Sequence, residues 1–388
     1  MKILYHHRIA SKDGQYVHIE ELTNALRNLG NELIIVSPSV SKGEEFGSES
    51  GFVKLLKQKM PRFIYELLEF AYSLHAYRKL TKIIEKYKPD IIYERYNLFM
   101  LAGAWVKRKY NIPFFLEVNA PLFEERKKYS GISLSSLAKW SERYVWENAD
   151  SVLPVTHVLA KKIMKEGVDE NHICVIPNGV NLERFDSYSE KNNIKERLNL
   201  RNCIVLGFTG FVREWHGLER VVDLIADNKE ESLHLLIIGD GPACPNIRKR
   251  ANESGIIERI TITGVVGRDE ISKYIAAFDV ALQPDVVDYA SPLKLFEYMA
   301  LGCAIVAPDK ENIREVLTNR KNCLLFNPNV ENDFFSKIIY LIKDEQLRKN
   351  IGNAARNTIL TKRLTWNNNA LRIQSIANQI ISNKGSHK

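Results

Sequence analysis

The sequence predicts an α/β protein built from two successive parallel-sheet halves, each large enough for its own hydrophobic core. Three observations carry that prediction. Short apolar strands alternate with stretches of helical period along most of the chain, the pattern of βαβ units. The alternation restarts after one polar stretch, residues 186–202, the only plausible connector. The length, 388 residues, fits two or three domains at roughly 100–200 residues each.

The elements follow in order. Lys2–Tyr5 reads as a strand, followed by a loop and a helix over Tyr16–Leu29 with apolar residues at helical spacing, closed by Gly30. Glu32–Val36 is a second strand, and residues 52–86 read as helical and rich in aromatic side chains. Asp90–Tyr93, Pro113–Val118 and Ser151–Val155 are further strands, separated by helical stretches at 98–110 and 133–148. In the second half, strands at Ile204–Phe208, Leu233–Ile238, Arg259–Thr263, Val280–Gln283 and Ala304–Ala307 alternate with helices at 217–227, 245–254, 269–277 and 292–301. Residues 333–360 and Trp366 to about Ser382 complete the helices.

Composition excludes several classes. Apolar residues make up 45% and charged residues 26%, which argues against disorder and coiled coil. Apolar runs such as Leu235–Ile238 are strand-sized, far below the roughly 20 residues of a membrane span. The N-terminus reaches charge and histidine too early for a signal peptide. Five cysteines, odd in number and widely spaced, read as core residues of a reducing cytosol, neither a disulfide framework nor a zinc site. The net charge is +8, and residues 52–88 alone hold nine basic and three acidic residues. That local excess points to an acidic partner near the segment, not to general nucleic-acid binding.

Two motifs carry the chemistry. No G-x-G-x-x-G follows the first strand, which removes most of the case for a nicotinamide or flavin site. Lys12-Asp13-Gly14-Gln15 stands there instead, and Gly14 before a helix N-terminus would let backbone approach an anion; read alone it is an ordinary loop glycine. Val175-Ile176-Pro177-Asn178-Gly179-Val180 is more specific: Pro fixes φ while Asn and Gly tolerate positive φ, a turn suited to a chain passing between domains.

From Val175 to Phe185 the sequence closely resembles the hinge signature of retaining glycosyltransferases of family 4, which have the two-Rossmann GT-B fold. The second half agrees in order and spacing. Phe208–Gly217 matches the family's Gly-rich turn with basic phosphate ligands, and Gly239-Asp240-Gly241-Pro242 matches its Gly-x-Gly-Pro turn. Thr263-Gly264-Val265-Val266 resembles the segment whose backbone receives the nucleobase, and Ser291–Gly302 resembles the donor-site helix. The resemblance is strong over about 150–385 and architectural before that. It implies a cleft between residues 1–180, with a helix at 365–388 packed back on them, and a donor domain at 181–364. On this basis Gly14, Gly210, His216, Gly239, Gly264, Val265, Ser291, Leu293, Leu295 and Glu297 line the nucleotide sugar, and Glu297 accepts hydrogen bonds from the ribose.

Departures from the family matter. Of the two acidic positions eight residues apart, Glu297 is the second, while the first is Tyr289 with Asp288 just before it. The usual Arg after Gly210 is Phe211, and the usual Lys before Gly217 is His216. A departing diphosphate needs positive charge, and Lys294 and Arg213 are the available cations; Lys294 shares a helix face with Glu297 three residues on. The family's acceptor-side histidine after the fourth strand is missing, leaving Glu117, Asn119 and Glu124, with His18 on the first helix, to place or deprotonate an acceptor hydroxyl.

The expectation is therefore a cytosolic GT-B enzyme that moves a sugar from a nucleotide-diphosphate sugar, a uridine nucleotide being the commoner case, to an acceptor hydroxyl with retention and without a metal. Basic and aromatic residues over 52–88 suit an anionic membrane surface and a lipid-linked or glycan acceptor in bacterial surface-glycan assembly. A catalytically silent sugar-nucleotide-binding partner, and an enzyme with a soluble small-molecule acceptor, are the rival readings.

Overall fold

The computed structural model describes residues 1–9, 14–38, 60–186, 191–229 and 232–385. Contacts divide the chain into two units: Met1–Pro177 with Tyr289–Ser291 and Trp366–Lys388, and Asn178–Asp288 with Pro292–Thr365.

The first unit runs β1 (Lys2–His6), α1 (Gly14–Asn28), β2 (Glu32–Val36), α2 (Arg62–Tyr87), β3 (Ile91–Arg95), α3 (Ala102–Tyr110), β4 (Phe114–Val118), α4 (Leu122–Glu125), α5 (Ser135–Glu147), β5 (Ser151–Pro154) and α6 (His157–Lys165). Its five strands are all parallel, in the order β2-β1-β3-β4-β5. The central strands β3 and β4 are buried along their whole length and apolar except for Glu94, Arg95 and Glu117 toward their carboxyl ends.

The second unit runs α7 (Lys191–Arg197), β6 (Ile204–Thr209), α8 (Glu219–Asp227), β7 (Leu233–Ile238), α9 (Cys244–Glu253), β8 (Ile260–Ile262), α10 (Arg268–Ala276), β9 (Val280–Leu282), α11 (Leu293–Ala300), β10 (Ala304–Pro308), α12 (Glu311–Arg314), β11 (Leu324–Phe326), α13 (Asp333–Lys343) and α14 (Glu345–Thr361). Its six strands are again parallel, ordered β11-β10-β9-β6-β7-β8. The strand order reverses between β6 and β9, and ligands of open α/β sheets bind outside the carboxyl ends of strands at such a point. The last helix, α15 (Trp366–Gly385), belongs to the first unit and packs on α1, with Trp366 edge-on to His18 at 4.9 Å. Asn369 and Arg372 of α15 donate to the carbonyls of Pro177 (2.6 Å) and Val175 (2.9 Å).

Several elements differ from the sequence expectation for local reasons. The helix expected over 98–110 starts at Ala102, because Phe99 takes a φ of 65° in the preceding turn. The stretch 333–360 is two helices: Asp344 leaves helical geometry and caps α14 by accepting from the Leu347 N–H at 2.8 Å. The connector contains α7, and α6 and β11 were not expected. The helix expected over 52–86 starts at Arg62 after Pro61; residues 52–59 lie outside the described residues. None of the five cysteines forms a disulfide; Cys244, Cys303 and Cys323 are buried as expected, whereas Cys174 and Cys203 are only half-buried.

Packing is close where β6 meets the chain before β9. A Cβ on Gly207 would lie 2.1 Å from the buried Phe278 ring, so only glycine lets this ring lie against the strand. Gly207→Ala is expected to lower stability by about 1–3 kcal/mol through overpacking, measured as a lower urea midpoint with an unchanged slope.

Candidate functional site

In the second unit, the carboxyl ends of β6, β7 and β8 are joined by backbone packed on backbone. Gly210 (φ 120°) donates to the Ile238 carbonyl at 2.9 Å, and the Val212 N–H to Asp240 at 2.9 Å. A Cβ on Gly239 (φ 134°) would stand 2.2 Å from the Gly210 oxygen, and one on Gly241 2.2 Å from the Val212 oxygen. Side chains are sterically barred there. Gly239 also bridges Gly264, after which Val265 is largely exposed.

Lys294 enters this glycine floor from the first turn of α11. Its ammonium lies 3.9 Å from the centroid of the Phe208 ring, and only 3.3 Å from where a Cβ of Gly210 would be. Burial pushes its pKa down to about 7, against the opposing pull of the Glu297 carboxylate. A cation held this way lacks solvation and gains from a dianion arriving beside it. Tyr298, one residue past Glu297, accepts from the Thr209 N–H at 2.9 Å and so fixes α11 to the end of β6.

His216 is part of the same floor. Its ring lies 4.8 Å from Phe208 and 5.3 Å from Trp215, and Nδ1 accepts from the Arg213 N–H at 3.1 Å. Burial, then the charges of Lys294 and Arg213, lower its pKa to about 3, so it is a neutral imidazole with Nε2 carrying the proton. The exposed Arg213 places its guanidinium 5.0 Å over Phe211.

The other expected donor residues are placed as follows. Asp288 pairs with Lys310 (3.3 Å), which also holds Asp285 (2.9 Å). Leu293 is half-buried at the start of α11. Leu295 corrects the expectation: its side chain is fully buried and its N–H is donated to Pro292, so it packs and offers a ligand nothing. Ser291 and Gly14 belong to the first unit, Gly14 as the exposed first residue of α1.

The first unit gathers ionisable residues at the carboxyl ends of its strands. The parallel register sets His6 beside Glu94 and Arg95 beside Glu117. His6 Nδ1 lies 2.5 Å from Glu94, and Arg95 is ion-paired to Glu117. Glu117 also receives Tyr93 (2.9 Å), Asn119 (2.6 Å) and His18 (3.1 Å). Burial alone would raise its pKa, but His18 and Arg95 outweigh burial and hold it well below the usual carboxylate range. The expectation that Glu117 deprotonates an acceptor is thereby corrected: a carboxylate with both oxygens engaged and so little proton affinity is a poor base. Glu124 instead pairs with Lys162 at the surface (2.6 Å).

Sequence reasoning missed His6, Glu94 and Arg95. The signal was available: β1 and β3 turn from apolar to ionisable at their last residues, and β4 carries Glu117 one residue before its end. Glu117→Gln is expected to cost about 3–5 kcal/mol at pH 7 by leaving Arg95 and His18 without their buried partner. Glu117 has a depressed folded pKa, so its contribution is present above the unfolded value near 4.5 and fades below it. The gap between the two proteins in chemical denaturation should therefore narrow as pH falls below about 4.5.

Comparison with known proteins agrees with this architecture. The family model described as Glycosyltransferase Family 4 matches residues 12–184, and that described as Glycosyl transferases group 1 matches residues 187–358. An uncharacterized glycosyltransferase of Methanocaldococcus jannaschii is 24% identical over 95% of both chains. An alpha-monoglucosyldiacylglycerol synthase of Acholeplasma laidlawii is 22% identical over 89% of this chain and 87% of its own length. Among solved structures, Anabaena HepE in complex with UDP superposes with a TM-score of 0.74 at 17% identity, covering 98% of this chain and all of that one. With two parallel-sheet Rossmann-like halves and both family models matched, the chain belongs to the GT-B glycosyltransferases of family 4.

Proposed function

We propose that this glycosyltransferase takes its sugar from a uridine diphosphate sugar and passes it, with retention of anomeric configuration, to the hydroxyl of a lipid-linked or glycan acceptor in surface polysaccharide or glycolipid assembly. The observation that carries the donor reading is Lys294, a desolvated cation over the Gly210 turn at the strand-order reversal. Solved structures of HepE with UDP and with UDP-glucose, and relatives named as alpha-monoglucosyldiacylglycerol synthases, support the donor and acceptor classes.

In this reading the diphosphate lies against the backbone of the Gly210 turn. Lys294 becomes fully protonated as the anion binds and stabilises the charge that develops when the glycosidic bond breaks. Arg213 adds charge from the exposed side, and His216 donates from Nε2 without adding any. Glu297 accepts from the ribose hydroxyls, while Val265 offers backbone to the base. Asp288, drawn toward Lys310, is assigned to donor hydroxyls. Acceptor recognition falls to the first unit, where His18, Asn119 and Glu124 are the assigned groups. No metal takes part in this scheme.

Lys294→Ala and Glu297→Ala should each lower sugar transfer about 10²–10³-fold, with the fold intact by circular dichroism; parental rates in both would overturn the site assignment. A chelator should leave the rate unchanged, and a collapse of activity rescued by a divalent cation would refute the metal-free scheme. Nucleotide binding without turnover of any sugar would instead identify a silent binding partner.

A further inference from the structure

The long helix α2 carries an exposed face that no group of the proposed transfer uses. Phe63, Leu67 and Leu74 recur at i, i+4 and i+11 as one exposed stripe, bordered at i+7 by Phe70, which is partly buried against the core. Leu67 is 46% and Leu74 53% exposed, values found for solvent-facing residues and not for packed ones. Beyond Leu74 the same exposed side turns basic, with Arg78, Lys79, Lys82 and Lys86. Lys79 bonds only a backbone carbonyl, that of Ser37, and Lys86 lies over the Tyr87 ring.

The carboxylates of α2 are all tied up by neighbours. Glu66 is buried and accepts from the backbone N–H groups of Ser133 and Leu134, at 2.9 and 2.6 Å. Glu69 is doubly bonded by Arg126, at 2.7 and 3.0 Å. Glu85 receives the Tyr110 hydroxyl at 2.6 Å and lies 3.7 Å from Lys109. Glu69 and Glu85 are thereby paired with cations and Glu66 is turned inward onto backbone N–H groups, whereas Arg78, Lys79, Lys82 and Lys86 have no carboxylate partner among the described residues.

Two further amphipathic rings border the apolar half. Trp140 of α5 lies 6.3 Å from Phe70, stacks on Tyr144 at 5.2 Å and is 48% exposed. Tyr129, on the turn that Arg126 fastens to Glu69, is 63% exposed with the Lys128 ammonium 5.1 Å over its ring. Aromatic rings with one wet edge beside lysines, next to an apolar stripe that continues into cations, match the chemistry of a bilayer interface: acyl chains below, anionic headgroups above.

We propose that this face of α2, with Trp140 and Tyr129, docks the protein on an anionic phospholipid surface, lying on it and not spanning it. Among the described residues, no helix is long and apolar enough to cross a membrane. The choice of lipid over a protein partner rests on charge: a bilayer supplies a dense negative field and an apolar layer at once. The docking is independent of the donor assignment, because it is read by binding without turnover.

The test is co-sedimentation of the full chain with vesicles of phosphatidylcholine containing 30% phosphatidylglycerol, against pure phosphatidylcholine, in low and high salt. Binding to the anionic vesicles is expected, weakening several-fold in high salt. The double variant Leu67→Glu/Leu74→Glu should lose at least tenfold in vesicle affinity while keeping the parental melting temperature. Arg78→Gln/Lys82→Gln should lose about five-fold per cation removed. Equal binding of parent and variants, or no preference for the anionic vesicles, would overturn the proposal. So would a concentration-dependent dimer abolished by the leucine pair in the absence of vesicles, which would make the face an interface between copies.

Discussion

At the carboxyl edge of the second sheet, three turns are pressed together without side chains between them. Gly239 and Gly241 place their backbones where any Cβ would collide with a neighbouring carbonyl, Gly210 where it would crowd the Lys294 ammonium, and the N–H groups of Gly210 and Val212 extend the β6–β7 ladder into the loops. Much of the proposed donor site depends on this contact. It makes a flat backbone surface, and the space left by the missing side chain of Gly210 is where the Lys294 ammonium sits. A methyl group on Gly239 or Gly241 would part the turns, and one on Gly210 would press on the cation.

The electrostatics of the two units run in opposite directions. In the second unit a cation is desolvated with too little compensation, so burial lowers the pKa of Lys294 to about 7 and that of neighbouring His216 to about 3. Such a site is charge-poor and receptive to an anion. In the first unit the buried carboxylate Glu117 is over-compensated by Arg95, His18, Asn119 and Tyr93, and its proton affinity is suppressed. That cluster is a rigid polar core for the strand ends; it orients its own members and is poorly suited to take a proton. The distinction separates a cation receptive to an anion from a carboxylate already satisfied by its neighbours, although both stand at the carboxyl ends of parallel strands.

The surface follows the same accounting of partners. On α2, sequence charge alone understates the asymmetry, because three glutamates count against the lysines and arginines. Once Glu66, Glu69 and Glu85 are committed to Ser133, Arg126 and Tyr110, the exposed face is apolar at one end and cationic at the other. The charge that a partner meets is set by which side chains are already paired.

Period and turn chemistry determined most of the architecture by themselves: alternating apolar strands and helices, a restart after 186–202, and Pro177-Asn178-Gly179 at the change of unit. These are local signals, written in residues next to one another, so they were legible. The glycines of the second unit and Lys294 were visible through the family resemblance, and close backbone approach is the physical reason that Gly239 and Gly241 stand where they do. Tertiary structure decided what each charge does. Glu117 looked like a base until strand register set Arg95 against it, and Leu295 looked like a ligand until the helix turned it into the core. His6, Glu94 and Arg95 drew no notice because their partners lie on other strands, tens of residues away. Pairing across a sheet, and the desolvation that gives it force, exist only once the chain is folded.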